Sequence, residues 1–273
     1  MVSPTLESER LGGLDVELAG VTVRLLAKRA LWWPAEGTVF VADVHLGKAE
    51  TFRALGVPVP SGPTEATLGR LGELVDGCGA RRLVVLGDLL HARPAQAHAT
   101  VSALRAWRRE RPALHCVLVR GNHDDRAGDP PADLGIEVVT APAAFGPFAL
   151  CHEPLDDLDD HGREGQPGQD GRKDGRHHAP ARESGYRLAG HLHPAVRLHG
   201  RGGDSARLAC FSVGRSQTVL PAFGDFTGAA SVSRAAPQRL FAIAGERVFE
   251  VPRAGPGRPV RPGPAPRRPE PAP

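Results

Sequence analysis

The sequence predicts an α/β protein in which a pair of mixed sheets packs together with helices outside. The first half alternates short apolar runs of strand length with stretches whose Leu, Val and Trp recur at helical spacing. After Asp124 the character changes, and apolar runs follow one another with little but turn residues between them, as in antiparallel hairpins. Five of the apolar runs also deliver Asp, His or Asn side chains at their carboxyl ends, where open α/β sheets place their ligands.

In chain order, residues 1 to 20 lack a clear period and are expected to wrap the edge of the fold. Val21, Val23 and Leu25 alternate with polar neighbours as a half-buried strand does, and Leu31 to Trp33 forms a second apolar segment ended by Pro34. Thr38 to Ala42 reads as a buried strand that leaves Asp43 and His45 at its end. From Pro63 to Gly79, Leu68, Leu71, Leu74, Val75 and Cys78 describe an amphipathic helix with proline near its start and glycine at its close. Arg82 to Leu86 is a strand that delivers Asp88, and Val101, Leu104 and Trp107 mark the next helix. The run Leu114 to Val119 then hands over to a loop at Gly121-Asn122-His123-Asp124. This order implies parallel pairing with right-handed crossovers. Phe148 to Cys151 ends at His152, and Arg187 to Gly190 ends at His191. Leu208 to Val213, Leu240 to Ala244 and Val248 to Val251 supply the hairpins.

One domain is expected over residues 1–252. A segment over 155–184 is rich in Asp, Gly, Arg and Gln and almost devoid of core formers, and reads as a disordered insertion. The Pro/Arg-rich tail, 253–273, is expected to be disordered too. The chain's 273 residues carry a formal net charge of +3, but the tail holds Arg253, Arg258, Arg261, Arg267 and Arg268 against Glu270, so the rest is close to neutral. Bulk charge therefore makes no case for nucleic acid, and any such surface is a local patch. Aromatic residues are only 5%, which points to a core mainly of Leu, Val and Ala. The four cysteines form no C-x-x-C pair, as suits reduced thiols, and neither a leader segment nor a membrane span is evident. A soluble cytoplasmic protein is the expectation.

The blocks Asp43-Val44-His45, Gly87-Asp88, Asn122-His123, His152 and Gly190-His191-Leu192-His193 together suit two divalent cations and a phosphate ester. Such a pair of ions sits about 3.5 to 4 Å apart and needs oxygen and imidazole ligands plus one bridging carboxylate, for which Asp88 is the natural choice. Asp43 and His45 can converge on one ion, and Asn122 and His152 can serve the other. Gly190 gives the backbone room to turn, so that His191 and His193 can address different ions. Asp, Asn and His donors without cysteine favour Mn²⁺, Fe²⁺ or Zn²⁺. Taken singly, most of these blocks are commoner as strand-end pairs or turns; it is their succession that argues for metal. His98, His115 and His199 read as structural, and Cys151 as a small core residue rather than a nucleophile.

This series resembles the calcineurin-like metallophosphoesterases over about Thr38 to Pro194. Asp43 to Lys48, Gly87 to His91, Leu220 to Gly224 and Phe226 to Gly228 further resemble the ligase-associated DNA damage response endonuclease (PdeM) group. The resemblance implies a four-layer α/β/β/α sandwich of two mixed sheets. It also implies Asp43, His45, Asp88 and His193 on one metal, Asp88, Asn122, His152 and His191 on the other, and His123 facing the scissile phosphate. A DNA ligase and a helicase are implied as functional associates. The phosphoprotein phosphatases of the superfamily carry G-D-x-x-D-R, whose second Asp orients the catalytic histidine; this chain has His91 at that position.

The expected activity is a dinuclear, Mn²⁺-dependent phosphodiesterase, a DNA endonuclease of repair, in which a metal-bridging hydroxide attacks phosphorus and His123 assists the departing oxygen. Lys48, Arg53 and His91 are candidate phosphate contacts. The alternatives are a nucleotide or small-molecule phosphodiesterase or phosphatase, and an inactive scaffold on the same fold.

Overall fold

A computed structural model describes residues 12–54, 56, 62–91, 98–155, 185–200, 204–225, 227–234 and 237–253. The first sheet runs β1-β2-β3-β4-β5-β6-β7, made of Gly13–Leu18, Val21–Leu26, Ala30–Trp33, Thr38–Val41, Arg82–Leu86, His115–Val119 and Ile136–Val139. Strands β1 to β4 are joined antiparallel, whereas β4, β5, β6 and β7 lie parallel. The second sheet has the order β14-β11-β12-β13-β10-β9-β8, with β15 and β16 branching from β12. Its strands are β8 (Ala143–Phe145), β9 (Phe148–Leu150), β10 (Tyr186–Ala189), β11 (Pro194–His199), β12 (Ser205–Val213), β13 (Gln217–Val219), β14 (Ala230–Ser231), β15 (Arg239–Ala244) and β16 (Arg247–Val251). Strands β9, β10 and β13 are parallel neighbours.

The central strands read as unbroken apolar runs because both of their faces are buried. On one face Val39, Val41, Leu83, Val85, Cys116 and Leu118 pack under Leu68, Leu71, Leu74 and Val75 of α2 (Pro63–Gly77) and Leu104 and Trp107 of α3 (His98–Arg109). On the other face Phe40, Val84, Leu86, Val117 and Val119 meet Phe148, Leu150, Leu188, Phe211 and Phe241 of the second sheet. Two mixed sheets thus pack face to face with helices outside the first, as the sequence predicts. The scarce aromatics are concentrated in this layer, where Trp33 and Phe40 make edge-to-face contacts with Phe148 at 5.2 and 6.2 Å.

Several elements differ from expectation. Residues 13–18 form the edge strand β1 rather than an aperiodic wrap, fixed by pairing with β2 over their whole length. Asn122 does not enter a loop but opens a short helix, α4 (Asn122–Ala127). Strands β7, β8, β11, β13 and β14 are too short or too mixed in pattern to stand out from the sequence. The predicted 155–184 insertion, apart from Leu155, and the tail beyond Arg253 lie outside the described residues. Leu155 is held at its amide by Gln217 Oε1, 2.7 Å away.

Candidate metal centre

Parallel pairing brings the carboxyl ends of β4, β5, β6, β9 and β10 to one edge of the sandwich, and the predicted site residues emerge there together. The exits are stitched to one another by the backbone. His45 N donates to Asp88 O at 2.8 Å, and Gly190 N donates to His152 O at 2.9 Å. Asp43, His45, Asp88, His191 and His193 all have positive φ, between 49° and 69°. Bulky residues rarely adopt this conformation, and where they do the surrounding structure must impose it. Gly190 itself does not have positive φ; it is required by close approach, since a Cβ there would lie 2.7 Å from an Asp43 carboxylate oxygen.

Asp43 and Asp88 are buried, with 0% and 2% of their surfaces exposed, and neither has a lysine or arginine partner among the described residues. Imidazoles surround them instead. His193 Nε2 is 3.3 Å from Asp43 Oδ1, His152 Nε2 is 3.4 Å from Asp88 Oδ1, and His45 Nε2 is 3.8 Å from Asp88 Oδ2. His152 Nε2 also lies 2.9 Å from Asn122 Oδ1 and 3.0 Å from His191 Nδ1. Asp43, His45 and His193 bring one ligand atom each within 4.8 Å of one another, and so do Asp43, Asp88 and His152. Burial pushes the Asp88 carboxyl above the ordinary range, His152 opposes that shift, and neighbouring Asp43 adds to it. Burial, reinforced by the surrounding histidines and Lys48, holds His45 neutral with a pKa down to about 2. Two buried carboxylates with no lysine or arginine partner among the described residues, faced by imidazole nitrogens of which that of His45 is held neutral, make a pocket of the kind a cation fills. The residues present therefore fit divalent metal.

His123 stands beside this pocket as the second residue of α4. Its N–H donates to Asp88 Oδ1 at 2.9 Å, its Nδ1 lies 2.7 Å from the His91 carbonyl oxygen, and its Nε2 faces Asp88 Oδ2 at 3.9 Å. The His91 ring stacks on it, with centroids 4.8 Å apart and planes inclined by 21°. His91 Nδ1 is buried and has no hydrogen-bond partner, and burial aided by Lys48 lowers its pKa to about 4. The sequence leaves Asp124 without a role. The structure shows its buried carboxylate accepting the N–H groups of Asp88 (2.7 Å), Gly121 (3.0 Å) and Leu90 (3.1 Å), which locks the Asp88 loop to the start of α4. The motif's terminal acid is the only sequence signal for this.

The predicted phosphate contacts divide. Lys48, at the start of α1 (Lys48–Ala54), is close enough for its charge to act on both His45 and His91. Arg53, in the last turn of α1, is exposed and is not among the charges acting on either. His115 pairs with Glu137 at 3.0 Å, far along β6 from Asn122, which is the structural role expected of it. A hollow of about 750 Å³ is lined by Tyr186 and Arg239 and lies at the opposite end of β10 from His191. A smaller one of about 280 Å³ adjoins Asn122 and His152.

A sandwich of two mixed sheets with these groups of ligating side chains at its strand ends fits a metallophosphoesterase. No family model matches the chain, and no curated protein matches it. A crystal structure of the Pseudomonas putida nuclease MPE is similar, with 39% sequence identity and a TM-score of 0.69 over 88% of this chain and all of that one. The chain belongs to the family of that nuclease. No helix among the described residues is long and apolar enough to cross a membrane.

Proposed function

We propose that the protein is a dinuclear metal-dependent phosphodiesterase that cleaves DNA, as an endonuclease of repair. The observation that carries this reading is the pair of buried carboxylates, Asp43 and Asp88, faced by His45, His152 and His193 and with no lysine or arginine partner among the described residues. Asp43, His45, Asp88 and His193 would hold one cation, and Asp88, Asn122, His152 and His191 the other, with Mn²⁺ the expected metal and Fe²⁺ or Zn²⁺ compatible with the donors. When bound, such ions neutralise phosphoryl oxygens and make a nucleophile from water near neutral pH. The similarity to a nuclease supports a polynucleotide substrate.

The chain's own residues have separable tasks. The His91 carbonyl takes the Nδ1 proton of His123 and so fixes the ring's tautomer and direction, leaving Nε2 toward the site. From there a protonated His123 donates to the departing oxygen of the cleaved strand. Asp124 keeps the Asp88 loop and α4 in register, and Lys48 supplies positive charge for the phosphate. The free, buried thiols suit a cytoplasmic setting. The functional association with a DNA ligase and a helicase remains part of this reading.

The test is hydrolysis of single-stranded, nicked and duplex DNA beside nucleotide diesters, in Mn²⁺, Fe²⁺, Zn²⁺ and Mg²⁺. Cleavage within DNA, with binding that weakens steeply as salt rises, is the expected result. Turnover of small diesters alone would assign the site to a nucleotide or small-molecule phosphodiesterase.

A further inference from the structure

We infer that Arg29, Arg207 and the loop residues 220–225 and 227–228 form a phosphate subsite beside the metal centre, which binds a phosphodiester group flanking the scissile one; this rests on the nuclease reading. A hollow of about 200 Å³ opens next to His193 and is lined by Arg29, Arg207, Asp225, Thr227 and Gly228. A water's share of liquid is about 30 Å³, so a phosphate group with bridging waters fits there.

The loop belongs structurally to the catalytic edge. Phe223 N and Gly224 N donate to Ala42 O (2.8 Å) and Asp43 O (3.0 Å), and Ala230 N donates to Leu192 O and His193 O. The Gly228 carbonyl lies 2.9 Å from His193 Nδ1. The backbones come so close that a Cβ at Gly224 would lie 2.3 Å from Val44 O. A group bound in the hollow is therefore held at a fixed place relative to Asp43 and His193.

The charge of the hollow is unbalanced. Its one lining carboxylate, Asp225, is already taken by Arg70, whose other terminal nitrogen donates to Phe223 O at 3.1 Å. Arg29 is left with long contacts only, 3.4 Å to Ala222 O, 3.5 Å to Gly224 O and 3.9 Å to Asp225. Arg207 donates to the Ala229 carbonyl, a single acceptor against a guanidinium's five N–H groups. Burial lowers the pKa of Arg29, and the neighbouring Arg70 adds to that against the pull of Asp225, as expected for a cation short of counter-charge. Two underused guanidinium groups facing one small hollow suit an anion with several acceptor oxygens, which is what a phosphodiester offers.

Thymidine dinucleotide, tested with and without an added 5′- or 3′-terminal phosphate in Mn²⁺, reads this subsite directly. For the unmodified protein, a phosphate on one side should raise kcat/KM on the order of tenfold, as a charge-assisted contact of about 1.4 kcal/mol does. Arg207→Ala and Arg29→Gln should remove that gain, Arg207→Lys should keep part of it, and melting temperatures should stay near that of the unmodified protein. Binding of fluorescein-labelled oligothymidylate without metal provides a second readout, in which Arg207→Ala should lower the salt slope by about 1. A gain and a slope that survive in both variants overturn the subsite and leave the nuclease reading standing. If the unmodified protein hydrolyses no dinucleotide or oligonucleotide, the nuclease reading falls, and an unchanged slope in Arg207→Ala then overturns the subsite as well.

Discussion

The Nδ1 atom of His123 lies 2.7 Å from the carbonyl oxygen of His91, so the proton on that nitrogen is directed into the protein and Nε2 is directed toward Asp88. In the phosphoprotein phosphatases of the superfamily that the sequence resembles, a carboxylate at the position of His91 orients the histidine. Here a main-chain oxygen provides the acceptor, and the His91 ring braces the His123 ring from one side. A carbonyl oxygen can only accept, so it fixes the tautomer and direction of the imidazole.

This division of labour separates two variants. His123→Ala should keep both ions yet lose on the order of 10² to 10⁴ in rate on DNA, whose alkoxide leaves poorly, and much less on an aryl phosphodiester. His91→Ala keeps the carbonyl but removes the brace, and should cost on the order of tenfold to 10² on DNA through misalignment. Equal losses by His123→Ala on both substrates would rule out proton donation, and loss of a metal ion would make His123 a ligand.

Asp88→Asn should abolish hydrolysis and lower metal content measured by elemental analysis, because it removes one of the two buried charges that suit the pocket to cations. Full activity with two ions bound would exclude Asp88 as the bridge.

Asp124→Ala leaves three buried N–H groups, of Asp88, Gly121 and Leu90, without their acceptor. At about 1 to 3 kcal/mol for each unsatisfied group, the melting temperature should fall on the order of 10 °C. Asp124→Asn can keep its oxygen at the Oδ2 position, which serves Asp88 and Gly121, and should lose less. An unchanged melting temperature in Asp124→Ala would show that solvent replaces the carboxylate.

All four cysteines are buried, and burial raises the thiols of Cys78, Cys116 and Cys210 to about 12, 11 and 12. A group raised so far remains protonated at pH 8, and the thiolate is the reactive form. A disulfide reagent should label none of these three in the folded protein and all four cysteines in denaturant; fast labelling of the native state would show that the core opens.

The sequence by itself determined the α/β class, the principal strands and helices, and which side chains meet at one edge of the sandwich. Strands buried on both faces must be apolar throughout, so polar residues such as Asp43, Asp88 and Asn122 mark where each one ends, and parallel pairing aligns those ends. Edge strand β1 and the short strands β7, β11 and β13 left no such mark, because their pairing partners rather than their own pattern hold them. Tertiary structure alone decided that Asn122 begins a helix, that Asp124 ties two loops together through three N–H groups, and that a carbonyl orients His123. It also decided that Arg29 and Arg207, far apart in the chain, share one hollow beside His193. Hydrogen bonds to main-chain atoms and contacts between distant loops depend on where the backbone passes, and that is set by the packing of the two sheets.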